Sequence, residues 1–361
     1  MGCWAIGGQF HAGMVPLGFA DIDDAESKRA IRATLDAGLR IFDTAAFYGA
    51  GHSERLLGEA LKDQPDAIIM SKLGTAIDED SRQILHAETE ANAVIPAIEG
   101  SLRRLNRDHV DIMLLHLNAL PVSTARPIFE QMEIARQAGN IRAYGWSTDF
   151  PESTKAMLDL EGFIGVEHAM NVFVDVPTIQ STVRKNNLFA FLRSPLAMGL
   201  LTGKFDDTTV MPDTDVRSVN SERRDYFEDA KPAAAHLQNL ASIREILRSD
   251  GRTFAQGALC WLLAKYDRNI PLPGARTAEQ AAENAAALAF GPLSDNEMSE
   301  IETLMTRAPE GAPAPADGYG QSRLPGGTFI PAAPASTRSN ESPAPESTQV
   351  ERPRPNWAAR R

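Results

Sequence analysis

Cysteine and long apolar runs are both scarce in this chain of 361 residues. Only Cys3 and Cys260 occur, and neither has a neighbouring Cys or His at metal-ligand spacing. This excludes a disulfide framework and a structural zinc site, and it favours a reducing cytoplasm. No run approaches the roughly 18 apolar residues of a membrane span. The N-terminus also lacks a basic region followed by an apolar segment, so nothing marks the chain for export.

Basic residues are outnumbered by acidic ones. The chain has 36 Lys and Arg against 48 Asp and Glu, which gives a formal net charge of -12 at pH 7. Nucleic acid and anionic membranes require a basic face, so neither is expected as a partner. The apolar content of 43% is ample for a core. A chain of this length can form two domains, but α/β barrels of roughly 250 residues or more fold around a single core.

Strand-like and helix-like segments alternate along most of the chain. The strand-like runs, such as residues 110–116, are continuously apolar, as is typical of strands buried on both faces. Strands separated by helices predict right-handed βαβ units in a parallel sheet, and about eight such units close an α/β, (β/α)8 TIM barrel. We predict a first strand at residues 4–8, a second at residues 40–45, and a following helix with Ser53 as its N-cap.

Two segments break this alternation. Residues 203–235, after the seventh strand, hold many charged and turn residues with little periodicity, which predicts a long loop and a candidate lid over one end of the barrel. After residue 308 the composition changes to Pro, Ala, Ser, Thr and Gly. The sequence therefore predicts one barrel domain, residues 1–308, and a disordered Pro-rich tail, residues 309–361.

Ionisable groups follow three successive predicted strands. Asp43 and Tyr48 come after the second strand, Lys72 ends the third and His116 ends the fourth. Each residue alone fits a packing or surface role, but the carboxyl ends of barrel strands converge on one mouth, so the joint placement favours chemistry. A phenol has an unperturbed pKa of about 10, and a nearby ammonium would lower that pKa. We therefore predict Tyr48 as proton donor, with Lys72 beside it held by Asp43, and His116 aligning a substrate oxygen.

Several motifs, taken together, resemble one enzyme family. They are Phe42-Asp-Thr-Ala with Tyr48-Gly, Ser71-Lys72-Leu-Gly, Leu114-Leu-His116, Gly145-Trp-Ser147, Ser194-Pro-Leu-Ala-Met-Gly-Leu-Leu-Thr-Gly-Lys204, and Ile270-Pro-Leu-Pro-Gly-Ala-Arg-Thr277 followed by Glu283-Asn284. In this order, over roughly residues 4–307, the chain resembles the aldo-keto reductases. The resemblance implies a (β/α)8 barrel whose catalytic tetrad is Asp43, Tyr48, Lys72 and His116. It also implies hydride transfer from NADPH to the carbonyl carbon of a small-molecule substrate, with Tyr48 protonating the oxygen.

The segment after the last predicted strand indicates the cofactor site. Residues 274–277 precede a helix, so free backbone N–H groups and the helix dipole predict an anion site there. The planar fork of Arg276 suits a phosphate monoester, which favours NADPH over NADH. The resemblance places the adenosine end near this helix and the pyrophosphate under residues 195–204. No metal is expected. The expected cofactor contacts are Ser147, Thr148, Glu167, Arg193, Ser194, Pro195, Leu196, Gly199, Lys204, Gly274, Arg276, Gln280, Glu283 and Asn284.

Three positions depart from the family pattern at the nicotinamide end. Family members usually carry Ser-Asn and, on the next strand, Gln to hold the carboxamide, whereas this chain has Ser147-Thr148 and Glu167. An aromatic side chain often stacks on the nicotinamide from the seventh strand, where this chain has Arg193. These departures leave open how the ring is bound, but they do not touch the tetrad.

Two alternatives to carbonyl reduction stay open. One is an NADP(H)-binding enzyme that reduces a C=C bond or assists dehydration or cyclisation. His116 weighs against C=C reduction, because the family's double-bond reductases typically carry Glu at this position. The other is a non-catalytic, NADP(H)-sensing regulatory subunit that docks through its tail. The identity of the substrate, the physiological direction and the oligomeric state are not derivable from the sequence.

Overall fold

The computed structural model describes residues 1–218, 226–307 and 310. Strands and α-helices alternate through these residues. The strands are β1 (His11–Ala12), β2 (Val15–Pro16), β3 (Ile41–Asp43), β4 (Ile68–Leu73), β5 (Thr75–Asp78), β6 (Gln83–Ala87), β7 (Val110–Leu115), β8 (Ile141–Ser147), β9 (Phe163–Ala169), β10 (Phe189–Arg193), β11 (Phe227–Glu228), β12 (Lys231–Pro232) and β13 (Asn269–Pro271). The helices are α1 (Asp24–Asp36), α2 (His52–Ala60), α3 (Val94–Leu105), α4 (Val122–Gln137), α5 (Pro151–Lys155), α6 (Pro177–Lys185), α7 (Ala234–Ser242), α8 (Arg244–Leu247), α9 (Phe254–Lys265), α10 (Ala278–Phe290) and α11 (Asp295–Leu304).

A parallel sheet curls through the centre of the molecule in the order β3-β4-β7-β8-β9-β10-β13, which is also the order of these strands along the chain. Gly2 closes the sheet, because it forms parallel bridges both to Asp43 in β3 and to Gly274 beyond β13. The Gly2 N–H donates to Pro273 O at 2.9 Å, and the Cys3 N–H donates to Asp43 O at 2.7 Å. The predicted (β/α)8 barrel is confirmed. Its eighth strand is reduced to a single residue, Gly2.

That eighth position lies at Gly2, so the prediction of a first strand at residues 4–8 was wrong. Trp4–Ile6 forms a short 3-10 helix instead, and Ile6 is fully buried in the core rather than paired in the sheet. The gap between the two edge strands is narrow. A Cβ atom on Gly2 would lie 2.7 Å from Leu272 O, so this position requires a residue without a side chain.

The start of α2 corrects a second prediction. The helix begins at His52 after Gly51, whose φ of 88° is left-handed, so Ser53 is inside the helix and does not cap it. The Ser53 hydroxyl is buried; it accepts a hydrogen bond from Thr44 Oγ1 at 2.8 Å and donates to Cys3 O at 3.2 Å. Ser53 therefore links Cys3, which follows Gly2, to Thr44, which follows β3.

The interior of the barrel positions Lys72. A small apolar cluster of Met70, Ile112, Leu114, Phe191 and Leu272 is separate from the larger core that includes the helices. Because alternate residues of a strand share one face, Lys72 lies on the same face of β4 as Met70. The ammonium of Lys72 thus lies directly above the interior cluster, at the carboxyl ends of the strands.

Two accessory regions lie beside the mouth. The hairpins β1-β2 and β5-β6 join into a four-stranded sheet, and β5 follows almost directly from the carboxyl end of β4. Within the predicted loop of residues 203–235, the described parts include the hairpin β11-β12, while residues 219–225 lie outside the described residues. The predicted disordered tail also lies outside them, except for Glu310. Within the described ranges, no helix combines the length and apolar character needed to cross a membrane.

Candidate active site

The four predicted catalytic residues lie together at the mouth of the barrel. Asp43 ends β3, Tyr48 lies in the turn before α2, Lys72 is the penultimate residue of β4 and His116 directly follows β7. In register, Asp43 pairs with Met70, two residues before Lys72, and Lys72 pairs with Leu114, two residues before His116. Because both offsets are even, Asp43, Lys72 and His116 lie on one face of the sheet, stepped along its carboxyl edge.

Lys72 is the centre of the site. Its ammonium donates to an Asp43 carboxylate oxygen, to Thr44 O at 2.9 Å and to the Tyr48 hydroxyl at 3.2 Å. The Glu167 carboxylate lies farther away, with Oε1 3.6 Å from Nζ. Lys72 is only 1% exposed. A buried ammonium is stable only when it is paired, so Asp43 and Glu167 hold it charged beside the phenol.

Aromatic rings position the other side of the site. His116 stacks on Phe47 with ring centroids 4.6 Å apart, and it meets the Tyr48 ring edge-on at 6.1 Å. Trp4 stacks on the Tyr48 ring with centroids 6.2 Å apart. The indole of Trp4 is itself fixed, because Nε1 donates to Leu17 O at 3.1 Å. The phenol is thus held in place by packing as well as by Lys72.

Burial is the largest single influence on the pKa values of Tyr48, Asp43 and Lys72, although neighbouring charges outweigh it at Lys72. Burial raises the pKa of Tyr48 above its ordinary value, and Lys72 opposes this rise without cancelling it. Lys72 lowers the pKa of Tyr48, as predicted, but burial raises this pKa by more. The net pKa of Tyr48 is therefore raised, and the expectation of a lowered value was wrong. Burial also raises the pKa of Asp43 to about 7, against the attraction of Lys72. For Lys72, burial favours a lower pKa, but Asp43 and Glu167 raise it above the ordinary value.

His116 is a neutral imidazole at physiological pH. Burial, with the positive charges of Lys72 and Arg193, holds the pKa of His116 well below 6.5. Among the described residues, Nδ1 of His116 is buried without a hydrogen-bond partner. The His116 side chain lines the cavity at the mouth, where a neutral imidazole is suited to hydrogen-bond a ligand oxygen.

A cavity of about 370 Å³ extends from the tetrad along β10 towards α10. Lys72 lies behind its wall. Ser147 and Thr148 are buried and do not line it, and the Thr148 hydroxyl donates to Asn118 O at 2.7 Å. The predicted site residues that line the cavity are Asp43, Tyr48, His116, Glu167, Arg193, Ser194, Pro195, Leu196, Gly199, Lys204, Gly274, Arg276, Gln280, Glu283 and Asn284.

Three cations lie close to one another on the cavity wall. Lys204, Arg217 and Arg276 all line it. Burial and the charges of the two arginines lower the pKa of Lys204. Nη2 of Arg276 donates to Ala20 O at 2.8 Å and to Asp21 O at 2.6 Å, and in the described part of the chain the N–H groups of Nε and Nη1 are left for a ligand. A cluster of positive side chains on the wall of a cavity attracts an anionic ligand.

The loop after β10 carries backbone strain beside these cations. Ser194, Ala197 and Met198 have left-handed φ values of 55°, 47° and 55°, and Gly199 follows at 95°. Left-handed conformations cost free energy for residues with a side chain and cluster where a backbone clamps a ligand. This observation supports the predicted role of residues 195–204 next to phosphate groups.

The start of α10 differs from the prediction. The Arg276 N–H donates to Gln280 Oε1 at 2.8 Å, the Ala278 N–H to Glu26 Oε1 at 2.8 Å, and the Gln280 N–H to Thr277 Oγ1 at 3.2 Å. Three backbone N–H groups around this helix start, of which that of Arg276 lies within the predicted residues 274–277, are therefore bonded within the protein. The anion site in this region rests mainly on the three cations.

Two of the departing residues lie on the cavity wall next to the tetrad. Glu167 is 1% exposed, and its Oε2 has no hydrogen-bond partner in the described part of the chain. Arg193 is less buried and pairs with Asp149, which also accepts the Ala169 N–H at 2.9 Å. An orphaned buried oxygen on a cavity wall indicates a missing ligand group. The residues present therefore fit a dinucleotide with a polar head near Glu167 and phosphates near the cations.

Sequence reasoning missed several lining residues, including Trp4, Phe19 and Arg217. Arg217 pairs with Asp215 through two hydrogen bonds of 2.8 and 2.7 Å, and its guanidinium lies 5.3 Å from the Phe19 ring centroid. The contact with Phe19 joins residues far apart in the chain. A basic residue in a charged loop was the available signal, and it is too common to identify a site by itself.

The barrel and its mouth define a class of protein, a (β/α)8 enzyme with a buried phenol and ammonium beside a basic cavity. The sequence model of the Aldo/keto reductase family matches residues 1–306, and the chain belongs to this family. It is an oxidoreductase that acts on carbonyl groups.

Comparisons with individual proteins agree with this membership. The chain is 28% identical over 313 residues to aldo-keto reductase YhdN of Bacillus subtilis, covering 84% of this chain and 88% of that one. It is 29% identical over 309 residues to L-glyceraldehyde 3-phosphate reductase of Escherichia coli, covering 79% and 85%. The solved glycerol dehydrogenase AKR11B4 from Gluconobacter oxydans is 28% identical, with a TM-score of 0.70 over 84% of this chain and 90% of that one.

Proposed function

We propose that this protein reduces a small aldehyde or ketone to an alcohol with NADPH, and that Tyr48 is the proton donor. The observation that carries this proposal is the hydrogen bond from the buried Lys72 ammonium to the Tyr48 hydroxyl. A catalytic acid must hold its proton before the reaction and tolerate its loss afterwards. Burial provides the first condition by raising the pKa of Tyr48, and Lys72 provides the second by stabilising the phenolate.

Each member of the tetrad has a distinct role in this proposal. The reduced nicotinamide, when bound, supplies the hydride that the carbonyl carbon accepts. The Tyr48 hydroxyl gives its proton to the carbonyl oxygen. His116, which lines the cavity, aligns that oxygen by a hydrogen bond, and Asp43 keeps Lys72 charged and oriented. The same groups serve the reverse oxidation of an alcohol.

We assign the cofactor to the cavity between the tetrad and α10. Lys204, Arg217 and Arg276 supply positive charge for the pyrophosphate and the extra phosphate of NADPH. The predicted contacts from β10, its following loop and α10 line this cavity and are retained in the proposal. Ser147 and Thr148 remain predictions, since they lie behind the wall.

The substrate class is proposed from the relatives. One is named for L-glyceraldehyde 3-phosphate and another for glycerol, so small hydroxylated carbonyl compounds are the first candidates. We also propose a cytoplasmic location, which the two free, buried cysteines support. Residues 1–308 are proposed as the catalytic domain, with no nucleic acid partner.

A carbonyl panel tests the proposal. The full chain is mixed with NADPH and with glyceraldehyde, methylglyoxal, benzaldehyde or an enone, and NADPH oxidation and products are measured. We expect alcohols, with the C=C bond of the enone intact. Saturation of the enone would instead support the alternative of C=C reduction. Tight NADPH binding without turnover of any compound would support a regulatory subunit.

A further inference from the structure

The geometry around Lys72 leaves no hydrogen bond from its ammonium to Glu167. An ammonium has three donors. Those of Lys72 are committed to Asp43, to Thr44 O at 2.9 Å and to the Tyr48 hydroxyl at 3.2 Å. Glu167 Oε1 lies at 3.6 Å from Nζ, beyond hydrogen-bond range, and Oε2 has no partner among the described residues. The carboxylate is nevertheless 1% exposed and lines the cavity.

Two carboxylates share the single ammonium of Lys72. Lys72 is offset by Asp43, with which it forms the direct ion pair. Arg193 is offset in the same way by Asp149. Glu167 is the more distant of the two carboxylates, 3.6 Å from the ammonium, so its charge is compensated only in part, and a positive group that approaches it from the cavity is stabilised.

Oxidised and reduced nicotinamide differ in charge at the ring. The oxidised ring is a cation, whereas the reduced ring is neutral. We propose that Glu167 makes this site distinguish the two oxidation states of the cofactor, by stabilising the oxidised, positively charged ring. This inference rests on the proposed function, since it takes the same cavity as the NADP(H) site. It goes beyond that function because it assigns to Glu167 a preference that a neutral side chain of the same shape would not provide.

Equilibrium binding tests the proposal without measuring turnover. Dissociation constants for NADP+ and for NADPH are measured on the full chain by calorimetry, for the wild type and for Glu167→Gln. The glutamine keeps the shape of the side chain and removes its charge. We expect the ratio of the NADP+ to the NADPH dissociation constant to rise about tenfold to hundredfold, as is typical for one charge pair in a partly buried site.

Glu283→Gln is the matched control. It removes the same charge from the same cavity, but at its α10 end. Its effect should fall equally on both forms of the cofactor and leave the ratio unchanged. Thermal melting checks that each variant is folded, and Glu167→Met repeats the loss of charge with a second neutral side chain.

The possible results separate this inference from the proposed function. A ratio that rises in Glu167→Gln and Glu167→Met but not in Glu283→Gln supports the role of Glu167. A ratio equal to that of the wild type in both Glu167 variants overturns it and leaves the cofactor assignment intact. If the wild type binds neither form, the cofactor assignment and this inference are both overturned.

Discussion

Replacing Lys72 by Met tests the electrostatic balance at the mouth of the barrel. The substitution keeps most of the side-chain volume but removes the ammonium, which is fully buried against a carboxylate that is 6% exposed. Asp43 and Glu167 are then left as two buried carboxylates without their shared cation. Breaking a buried pair by removing one partner typically costs about 3–5 kcal/mol of the free energy of unfolding.

That cost converts into a shift in melting temperature. The entropy of unfolding is about 2.1 cal/mol/K per residue, which for a barrel of this size amounts to about 0.6 kcal/mol/K. Lys72→Met should therefore melt about 5–8 °C below the wild type, as measured by calorimetry at pH 8. Lys72→Met combined with Asp43→Asn is the control, and it should recover part of the loss because one of the two carboxylates is then neutral.

The deficit should also depend on pH. Burial raises the pKa of Asp43 to about 7, above its ordinary value of 3.8. Between these two values the folded state binds a proton that the unfolded state has released, so the folded state gains stability as the pH falls from about 7 to about 4. This gain in stability is larger in Lys72→Met than in the wild type. The difference in melting temperature between the two should therefore be smaller at pH 5 than at pH 8. A melting temperature equal to that of the wild type at pH 8 would refute the reasoning.

Three further predictions concern separate parts of the chain. Arg276→Met should weaken NADPH binding about 30-fold to 100-fold and NADH binding much less, because it removes a charged donor to the extra phosphate; an equal loss for both cofactors in calorimetry would contradict this. Gly2→Ala should lower the free energy of unfolding by about 1–3 kcal/mol, because its Cβ would lie 2.7 Å from Leu272 O. Urea unfolding checks this, and an unchanged midpoint would argue against barrel closure at Gly2. Since the pKa of His116 is well below 6.5, the rate of carbonyl reduction should show no titration of this residue near pH 6.5. A step near that pH that disappears in His116→Gln would show the contrary.

The barrel and the tetrad were predictable because they depend on regular features of the sequence. Continuous apolar runs separated by helices define a parallel sheet, and a residue at the end of such a run, such as Lys72 or His116, must lie at the mouth. The position of Gly2 was not predictable in this way. A strand position of one residue has no periodicity, and its glycine is required only by the approach of Leu272 O.

Other features of the site depend on contacts between distant parts of the chain. Glu26 accepts the Ala278 N–H across 252 positions, so nothing near residue 278 shows that this donor is already bonded. The pKa of Tyr48 is decided by how deeply the phenol is buried, which depends on packing by Trp4 and Phe47. Local sequence indicates which groups are present, and the balance between burial and charge follows only from the fold.

The most direct test of Tyr48 as the proton donor is a single-turnover measurement on Tyr48→Phe. The variant keeps the aromatic ring and the contacts of Lys72 with Asp43 and Thr44 O, and it removes only the proposed acid. Enzyme preloaded with NADPH is mixed with glyceraldehyde, and the decay of the reduced cofactor is followed, with NADPH affinity measured separately. We expect an unchanged affinity and a rate about 10²-fold to 10⁴-fold below that of the wild type. A rate close to that of the wild type would contradict the assignment of Tyr48 as the proton donor.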